Sequence, residues 1–273
     1  MAVPPIIYGT AWKEEATRSL TAQALKVGFR AIDTANQRKH YVEAAVGEAV
    51  EEAVTEGICR REELFLQTKF TFAAGQDHRI PYDVEAPFSQ QVEQSVASSL
   101  DHLGTDYLDA YLLHGPSRRP GLGEADWEVW RAMEELQRRQ VARSIGISNV
   151  TAAQLSELLE GASCAPAFVQ NRCFARAGWD ASVRQICREQ GVVYQGFSLL
   201  TANRHELSNP KIRDIATRRG VTIPQIVFAF ASRIGILPLT GTTDATHMRQ
   251  DLDALDLTLS DEEIRTIETI AHP

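Results

Sequence analysis

Four side chains with acid–base chemistry lie in or next to predicted strand ends in the first half of the chain. Asp33 follows a short apolar run, Lys69 closes the run LFLQTK, and His114 closes DAYLLH. Tyr41 lies in the loop that begins after Asp33. The carboxyl ends of neighbouring parallel strands share one face of a barrel, so we expect these four groups to converge there.

Together the four groups suit proton transfer to a carbonyl oxygen. A lysine at the end of an apolar strand needs a partner for its buried ammonium, and Asp33 can supply one. A tyrosine beside that ammonium is expected to have its phenol pKa lowered from about 10, because the cation favours the phenolate. Tyr41 could then donate a proton near neutral pH, while His114 orients the carbonyl or shares the proton.

Short apolar runs alternate with amphipathic ones along the chain, which predicts parallel strands joined by right-handed helical crossovers. The predicted strands are 6–8, 30–32, 64–69, 107–113, 142–147, 168–171, 192–197 and 235–238. Eight strands favour a closed (β/α)8 TIM barrel over an open doubly wound sheet. An open sheet that binds a dinucleotide would need the string G-x-G-x-x-G, which does not occur. We expect one domain over residues 1–273.

Helices are predicted from apolar spacing and from capping residues. Apolar residues at helical spacing predict one helix around Val92–Leu103 and another around Trp127–Leu136. Capping residues mark the starts at Thr151 with Gln154, Asn209 before Pro210, and Ser260 with Glu263. Segments 223–233 and 260–270 are additional helices near the C-terminus, and the long loops 70–87 and 115–123 should border the site.

Composition excludes several classes of partner. The chain has 273 residues and a net charge of -8 without a basic block, so nucleic acid is not expected as a partner. No run approaches the length of about 18 apolar residues that a membrane span needs, and MAVPPIIYG does not look like a signal peptide. The four scattered cysteines indicate reduced thiols and a cytoplasmic location. A monomer or a weak homo-oligomer is expected.

A metal site is not expected. Barrel metallohydrolases favour closely spaced histidine pairs, whereas the seven histidines of this chain are dispersed.

The chain resembles the aldo-keto reductases. The strings GFRAIDTANQRKHYVEAAVGEAV, LQTKF and DAYLLHGP look like the catalytic blocks of that family, and GISN, VQN, GFSLL and LPLTGTTDATHMRQDL extend the resemblance over nearly the whole chain. The resemblance implies an (α/β)8 barrel that binds a nicotinamide dinucleotide across its top and reduces a small-molecule aldehyde or ketone reversibly. It also implies a catalytic tetrad, which falls on Asp33, Tyr41, Lys69 and His114.

The same resemblance implies a cofactor site. The carboxamide ligands fall on Ser148, Asn149 and Gln170, and the aromatic that stacks on the nicotinamide falls on Phe197. Ser198 matches a pyrophosphate contact, and Thr242 would meet an adenosine-side phosphate at the start of the last helix. The remaining adenosine-side positions are His247, Arg249, Gln250 and Asp251. NADP(H) is expected in preference to NAD(H), with Arg249 as the nearest cation that could bind its 2′-phosphate.

The chain departs from the family pattern at three places. The family tyrosine usually lies five residues after the aspartate, where this chain has Arg38; counting back from the following helix points to His40, and phenol chemistry points to Tyr41. The usual lysine–serine pair is replaced by Gly241 and Thr242. The C-terminal substrate loop has no counterpart, so the site is expected to be open or covered by loop 70–87. Trp12 could line the substrate pocket.

Two other classes of function stay open at this stage. One is a non-catalytic nicotinamide-binding subunit that senses redox state. The other is a barrel lyase in which Lys69 forms a Schiff base with the substrate.

Overall fold

The computed structural model describes residues 3–271; the predicted domain bounds at Met1 and Pro273 lie outside them. Eight strands form the sheet: β1 (Ile7–Gly9), β2 (Ala31–Asp33), β3 (Phe65–Phe70), β4 (Ala110–Leu113), β5 (Ile145–Ser148), β6 (Phe168–Arg172), β7 (Val193–Phe197) and β8 (Ile236–Thr240). All neighbouring strands are parallel, and β8 pairs with β1. The closed (β/α)8 barrel predicted from the sequence is confirmed.

Helices surround the barrel in the predicted alternation. They are α1 (Thr17–Val27), α2 (Glu43–Thr55), α3 (Phe88–Leu103), α4 (Glu124–Arg138), α5 (Ala152–Gly161), α6 (Ala181–Gln190), α7 (Arg204–Leu207), α8 (Pro210–Arg219), α9 (Ile223–Arg233), α10 (Ala245–Asp253) and α11 (Asp261–Glu268). The predicted capping hydrogen bonds are present at the starts of α5, α8 and α11. The predicted additional helices near the C-terminus are confirmed as α9 and α11.

Two strands, β4 and β5, begin three residues later than predicted. Segments 107–113 and 142–147 share one isolated bridge, Leu108 to Ala142, before the continuous ladder of β4 and β5 begins. Asp109 lies in the gap, where its carboxylate accepts hydrogen bonds from the backbone N–H of Leu66 and from Arg61. The carboxylate thus takes the place of a backbone acceptor for Leu66 at the start of β4.

The barrel interior is stratified along β3. Phe65 belongs to the apolar cluster inside the barrel, whereas Leu66 and Phe70 pack in the larger core between strands and helices. Because side chains alternate along a strand, Gln67 and Lys69 share the inward face with Phe65. An apolar layer therefore lies at the base of the interior, with a polar layer above it at the carboxyl ends of the strands.

No helix within residues 3–271 is long and apolar enough to cross a membrane. The four cysteines are free thiols, three of them buried. Over the same residues, no group of histidine, cysteine or acidic side chains could hold a metal ion.

Candidate active site

A cavity of about 900 Å³ opens at the carboxyl ends of the strands. Its walls come from the strand ends and from the loops that follow β1, β2, β3, β4, β7 and β8. Three of the four predicted acid–base residues line it directly: Asp33, Tyr41 and His114. The cavity therefore lies where the strand-end argument places the site.

Asp33 and Lys69 form a buried ion pair at the floor of this cavity. The ammonium Nζ of Lys69 lies 2.6 and 2.7 Å from the two carboxylate oxygens of Asp33. Its third N–H donates to the backbone carbonyl of Thr34 at 2.8 Å. The Lys69 side chain is 0% exposed, so burial lowers the pKa of its ammonium while Asp33 acts in the opposite direction. All three N–H bonds are engaged, which leaves no free amine for a Schiff base.

Tyr41 reaches this ion pair although its position in the sequence is shifted. The ammonium of Lys69 lies 5.4 Å from the centroid of the Tyr41 ring, and the rings of Tyr41 and His114 are 6.0 Å apart, edge to face. A turn absorbs the additional residues, because the backbone N–H groups of His40 and Tyr41 both donate to the carbonyl of Gln37. Within residues 3–271 the Tyr41 hydroxyl has no hydrogen-bond partner.

The other two candidates for the shifted position make different contacts, although His40 also lines the cavity. The guanidinium of Arg38 is exposed and lies 3.4 Å from Nε2 of His102. His40 stacks on Trp12 with ring centroids 3.8 Å apart, and its Nδ1 lies 2.9 Å from Oε1 of Gln37. Tyr41 is thus the member of this loop whose ring lies beside both Lys69 and His114.

The pKa of Tyr41 is raised above its ordinary value, chiefly by burial and secondly by the charge of Asp33. The expectation that Lys69 lowers this pKa is wrong for the free protein. The ammonium is paired with Asp33, so the phenol is next to a neutral pair rather than to an isolated cation. Tyr41 is consequently protonated throughout the physiological pH range.

His114 is held by a threonine that sequence reasoning did not identify. Its Nδ1 lies 2.7 Å from Oγ1 of Thr71, the first residue after β3. Burial and the nearby charge of Lys69 lower the pKa of His114 to about 3, so the ring is neutral. If the Thr71 hydroxyl donates to Nδ1, the proton of the neutral ring is on Nε2, where it could be donated to a ligand.

The residues predicted to hold the nicotinamide end share one wall of the cavity with Ser198, the predicted pyrophosphate contact. They are Ser148, Asn149, Gln170 and Phe197. The amide Nδ2 of Asn149 donates to the backbone carbonyl of His114 and to Oγ of Ser148. Asn149 and Ser198 have φ angles of 57° and 58°, a left-handed conformation that non-glycine residues rarely adopt and that concentrates at functional sites.

The amide groups on this wall present acceptors. Nε2 of Gln170 donates to Asp33 and to Gln195, each at 2.9 Å, and both protons of the Asn149 amide are also engaged. The carbonyl oxygens of these two side chains have no partner within the described residues. Two free acceptors side by side suit the NH2 of a carboxamide.

The predicted adenosine-side residues are only partly brought to the cavity. Thr242 lines it but precedes the helix, which starts at Ala245 with Asp244 as its cap and is followed by α11; the expectation that Thr242 begins the last helix is wrong. His247 is exposed in the first turn of α10, and Gln250 is half-buried in its second.

Two of these residues face away from the cavity. Arg249 lies in a separate surface groove between α10 and α1. Asp251 is buried and accepts a hydrogen bond from Oγ1 of Thr240 at 2.6 Å, and burial raises its pKa to about 6. Asp251 therefore ties α10 to the end of β8, and its role as a cofactor ligand stays a prediction.

Lys13 is a buried cation near the same end of the cavity, and sequence reasoning missed it. Its Nζ donates to the backbone carbonyl of Gly241 at 2.7 Å and lies 5.1 Å from the centroid of the Tyr8 ring. Burial lowers its pKa to about 8. Within residues 3–271 it pairs with no carboxylate. The sequence signal for Lys13 is its position directly after Trp12, the residue predicted to line the substrate pocket. Trp12 is itself 70% exposed at the rim of the cavity.

Known proteins are similar in sequence to this chain over most of its length. A sequence model described as "Aldo/keto reductase family" matches residues 5–272. The chain is 30% identical over 293 residues to deoxymugineic acid synthase 1 of Oryza sativa subsp. japonica, a match covering 98% of this chain and 86% of the relative. It is 30% identical over 280 residues to D-galacturonate reductase of Fragaria ananassa, covering 94% and 81%.

Solved structures share the fold. An aldo-keto reductase of the silkworm Bombyx mori matches with a TM-score of 0.83 at 26% identity, covering 98% of this chain and 84% of that one. The structure of an aldo-keto reductase complexed with NADPH matches with a TM-score of 0.83 at 25% identity, covering 98% and 84%.

Proposed function

This chain belongs to the aldo-keto reductase family, and on that premise we propose that it reduces an aldehyde or ketone to the alcohol, reversibly, with NADP(H). The observation that carries the proposal is the buried pair of Asp33 and Lys69 beneath Tyr41 and His114 at one cavity wall. We further propose that residues 1–273 form one domain of this type, located in the cytoplasm.

Tyr41 is the proton donor in this proposal. Its raised pKa keeps the phenol protonated, and an alkoxide formed from the carbonyl is basic enough to take that proton. The ammonium of Lys69 stabilises the phenolate that remains, because it lies against the Tyr41 ring. Asp33 keeps Lys69 charged and in place.

His114 orients the substrate in the same proposal. A neutral imidazole with its proton on Nε2 donates a hydrogen bond to the carbonyl oxygen and directs that oxygen toward Tyr41. A charged imidazolium would compete with Tyr41 as the acid, and the low pKa of His114 prevents this. Thr71 would fix the tautomer.

A nicotinamide dinucleotide fits the residues present. When bound, it supplies the hydride for the carbonyl carbon. Asn149 and Gln170 would accept hydrogen bonds from its carboxamide, Ser148 would support Asn149, and Phe197 would provide an aromatic surface at the same wall. Ser198 and Thr242 would contact the phosphates at the cavity margin.

Lys13 supplies positive charge on the adenosine side, where the family lysine is replaced by Gly241. Its Nζ has one protein acceptor and two remaining N–H groups, which suit a phosphate oxygen. Exposed His247 is the other candidate contact for a 2′-phosphate. The similar structure that was solved with NADPH supports the preference for NADP(H).

Two substitutions test the assignment of the acid. Tyr41→Phe keeps the ring but removes the hydroxyl, so turnover should fall by about 100-fold or more while NADPH still quenches tryptophan fluorescence. His40→Asn should keep most of the turnover. Loss of activity in the His40 variant with retention in the Tyr41 variant would reverse the assignment. Failure of the wild type to bind NADPH or NADH would refute the proposed function.

A further inference from the structure

Two glutamines that belong to no part of the predicted site lie at the centre of the barrel. Gln67 on β3 and Gln195 on β7 are both 0% exposed. They meet across the barrel axis as a reciprocal amide pair: Nε2 of Gln67 lies 2.9 Å from Oε1 of Gln195, and Nε2 of Gln195 lies 2.8 Å from Oε1 of Gln67. Apolar branched side chains usually fill such layers, so a fully polar pair requires an explanation.

This pair joins Asp33 to the wall that faces the nicotinamide. The second proton on Nε2 of Gln67 goes to Oδ1 of Asp33 at 2.6 Å, and Oε1 of Gln195 also accepts from Nε2 of Gln170 at 2.9 Å. Gln170 in turn donates to the same Oδ1 of Asp33 at 2.9 Å. The four side chains form a closed ring of hydrogen bonds with members on β2, β3, β6 and β7.

The charge of Asp33 sets the direction of every amide in the ring. A carboxylate only accepts, so Gln67 must turn its NH2 toward Asp33 and its oxygen toward Gln195. Gln195 must then donate to Gln67, which leaves its own oxygen to accept from Gln170. Both protons of the Gln170 amide are thereby engaged inside the ring, and its oxygen is left for the cavity.

We propose that Gln67 and Gln195 are positioning residues that fix the orientation of Gln170, so that its carbonyl oxygen is presented to the carboxamide of the nicotinamide while Asp33 stays aligned with Lys69. This inference rests on the proposed function, because it assigns the ligand of Gln170. The two glutamines touch neither cofactor nor substrate; they act through Gln170 and Asp33.

Measurements of NADPH affinity distinguish a positioning role of Gln67 and Gln195 from a role in packing alone. Gln195→Met replaces the amide with an apolar side chain of similar length, which removes one acceptor for Gln170 and the donor that Oε1 of Gln67 has within residues 3–271. Affinity for NADPH should fall by about tenfold, the value of one hydrogen bond. Affinity for 2′-phospho-ADP-ribose, which has no nicotinamide, should not change. Equal loss for both ligands, or no loss for either, would overturn the proposal.

The variant Gln195→Glu provides a control, because its affinity for NADPH should depend on pH. The protonated carboxyl that Gln195→Glu introduces can donate to Gln67 and accept from Gln170, as the amide does. The ionised carboxyl can only accept, and it faces the negative charge of Asp33 through Gln67 and Gln170. The charged groups in this layer are Asp33 and its partner Lys69.

NADPH affinity of Gln195→Glu should therefore match the wild type at low pH and fall as the introduced carboxyl ionises. The affinity of Gln195→Met should stay reduced at every pH. Absence of any pH dependence specific to the Glu variant would refute the role of amide polarity. Wild-type protein that bound 2′-phospho-ADP-ribose but gained nothing from the nicotinamide would overturn this inference, whereas binding of neither ligand would overturn the proposed function as well.

Discussion

Tyr41 and His114 face the same cavity, and burial moves their pKa values in opposite directions. The neutral form is favoured in each case, so the pKa of the phenol rises and that of the imidazole falls to about 3. In the proposed reaction the proton is therefore donated by Tyr41, and neutral His114 offers a hydrogen bond. The two roles are separated by environment, as in other enzymes where one site holds two titratable groups.

The pH profile of carbonyl reduction should reflect this separation. The proposed mechanism requires protonated Tyr41 and neutral His114, so activity should fall only as pH drops toward about 3 or rises through the elevated pKa of Tyr41. We expect kcat to be constant from about pH 5 to about pH 9. Steady-state rates in buffers of constant ionic strength would test this. A further break in the profile that disappears in His40→Asn would instead identify His40 as the titrating group.

The hydroxyl of Thr71 is expected to contribute to activity through its hydrogen bond to His114. Thr71→Val keeps the shape but removes the hydrogen bond to Nδ1 of His114, so the imidazole can adopt the tautomer that has no proton on Nε2. We expect kcat/KM to fall by about tenfold. Thr71→Ser keeps the hydroxyl and should stay close to the wild type. Equal activity of the Val and Ser variants, measured with the same aldehyde, would show that Thr71 does not fix the tautomer.

Residue types and strand ends were enough to predict Asp33, Tyr41, Lys69 and His114 as neighbours. The direction of the Tyr41 pKa shift was not predictable, because it depends on burial and on how completely Asp33 neutralises Lys69. The orientation of Asp251 was not predictable either. Whether a helical residue faces the cavity or the core depends on how the helix is rotated about its axis. A single sequence does not determine that rotation.

At the scale of elements, the loop between β2 and α2 carries Tyr41, and α2 fixes where that loop ends. The first residue of α2, Glu43, is buried and accepts hydrogen bonds from Oγ1 of Thr68 and from Nδ1 of His102. Thr68 is on β3 beside Lys69, and His102 is on α3. The start of α2 is therefore attached to β3, the strand that carries Lys69.

Close packing of α2 on α3 depends on Gly47. A methyl group at this position would lie 2.0 Å from the carbonyl oxygen of His102 and 2.9 Å from Cα of Leu103, both backbone atoms. Gly47→Ala should therefore reduce the free energy of unfolding by at least about 2 kcal/mol, although alanine is the better helix former by about 1 kcal/mol. Urea denaturation followed by circular dichroism would measure the change.

Exposed Glu51 in the same helix provides the control for helix propensity. Glu51→Ala should be more stable than Glu51→Gly by about 1 kcal/mol, the opposite sign to the change expected at Gly47. If Gly47→Ala were also stabilising, the contact between α2 and α3 would be looser than the structure indicates.

At the scale of the whole molecule, the alternation of apolar strands and amphipathic helices was sufficient to predict the closed barrel. The predicted strands all overlap observed ones, since a buried parallel strand is a short apolar run with clear limits. The ring of hydrogen bonds through Gln67 and Gln195 was not foreseen. Their partners lie up to 128 positions apart in the sequence, and only the closed barrel brings them together.

The last helix depends on an ion pair whose strength varies with pH. Glu263 in the first turn of α11 accepts from Arg219 at the end of α8 at 2.5 and 3.0 Å, and from the backbone N–H of Ser260. These contacts lower the pKa of Glu263 to about 2. A carboxyl whose pKa is lower in the folded state stabilises the protein above its unfolded pKa of about 4.5, and this contribution is lost as pH falls toward about 2.

Glu263→Gln keeps the capping hydrogen bond, because an amide oxygen also accepts, but it removes the charge that faces Arg219. At pH 7 we expect the variant to unfold with a free energy about 1–2 kcal/mol below that of the wild type. The difference should shrink as pH falls from about 4.5 toward about 2, because the carboxyl of the unfolded wild type takes up a proton first and that of the folded protein only near pH 2. Glu262→Gln, at the exposed neighbouring position, should show a much smaller difference at every pH. If the free energy of unfolding of Glu263→Gln relative to the wild type were instead the same at pH 7 and pH 3, the pair would stabilise α11 by packing rather than by charge.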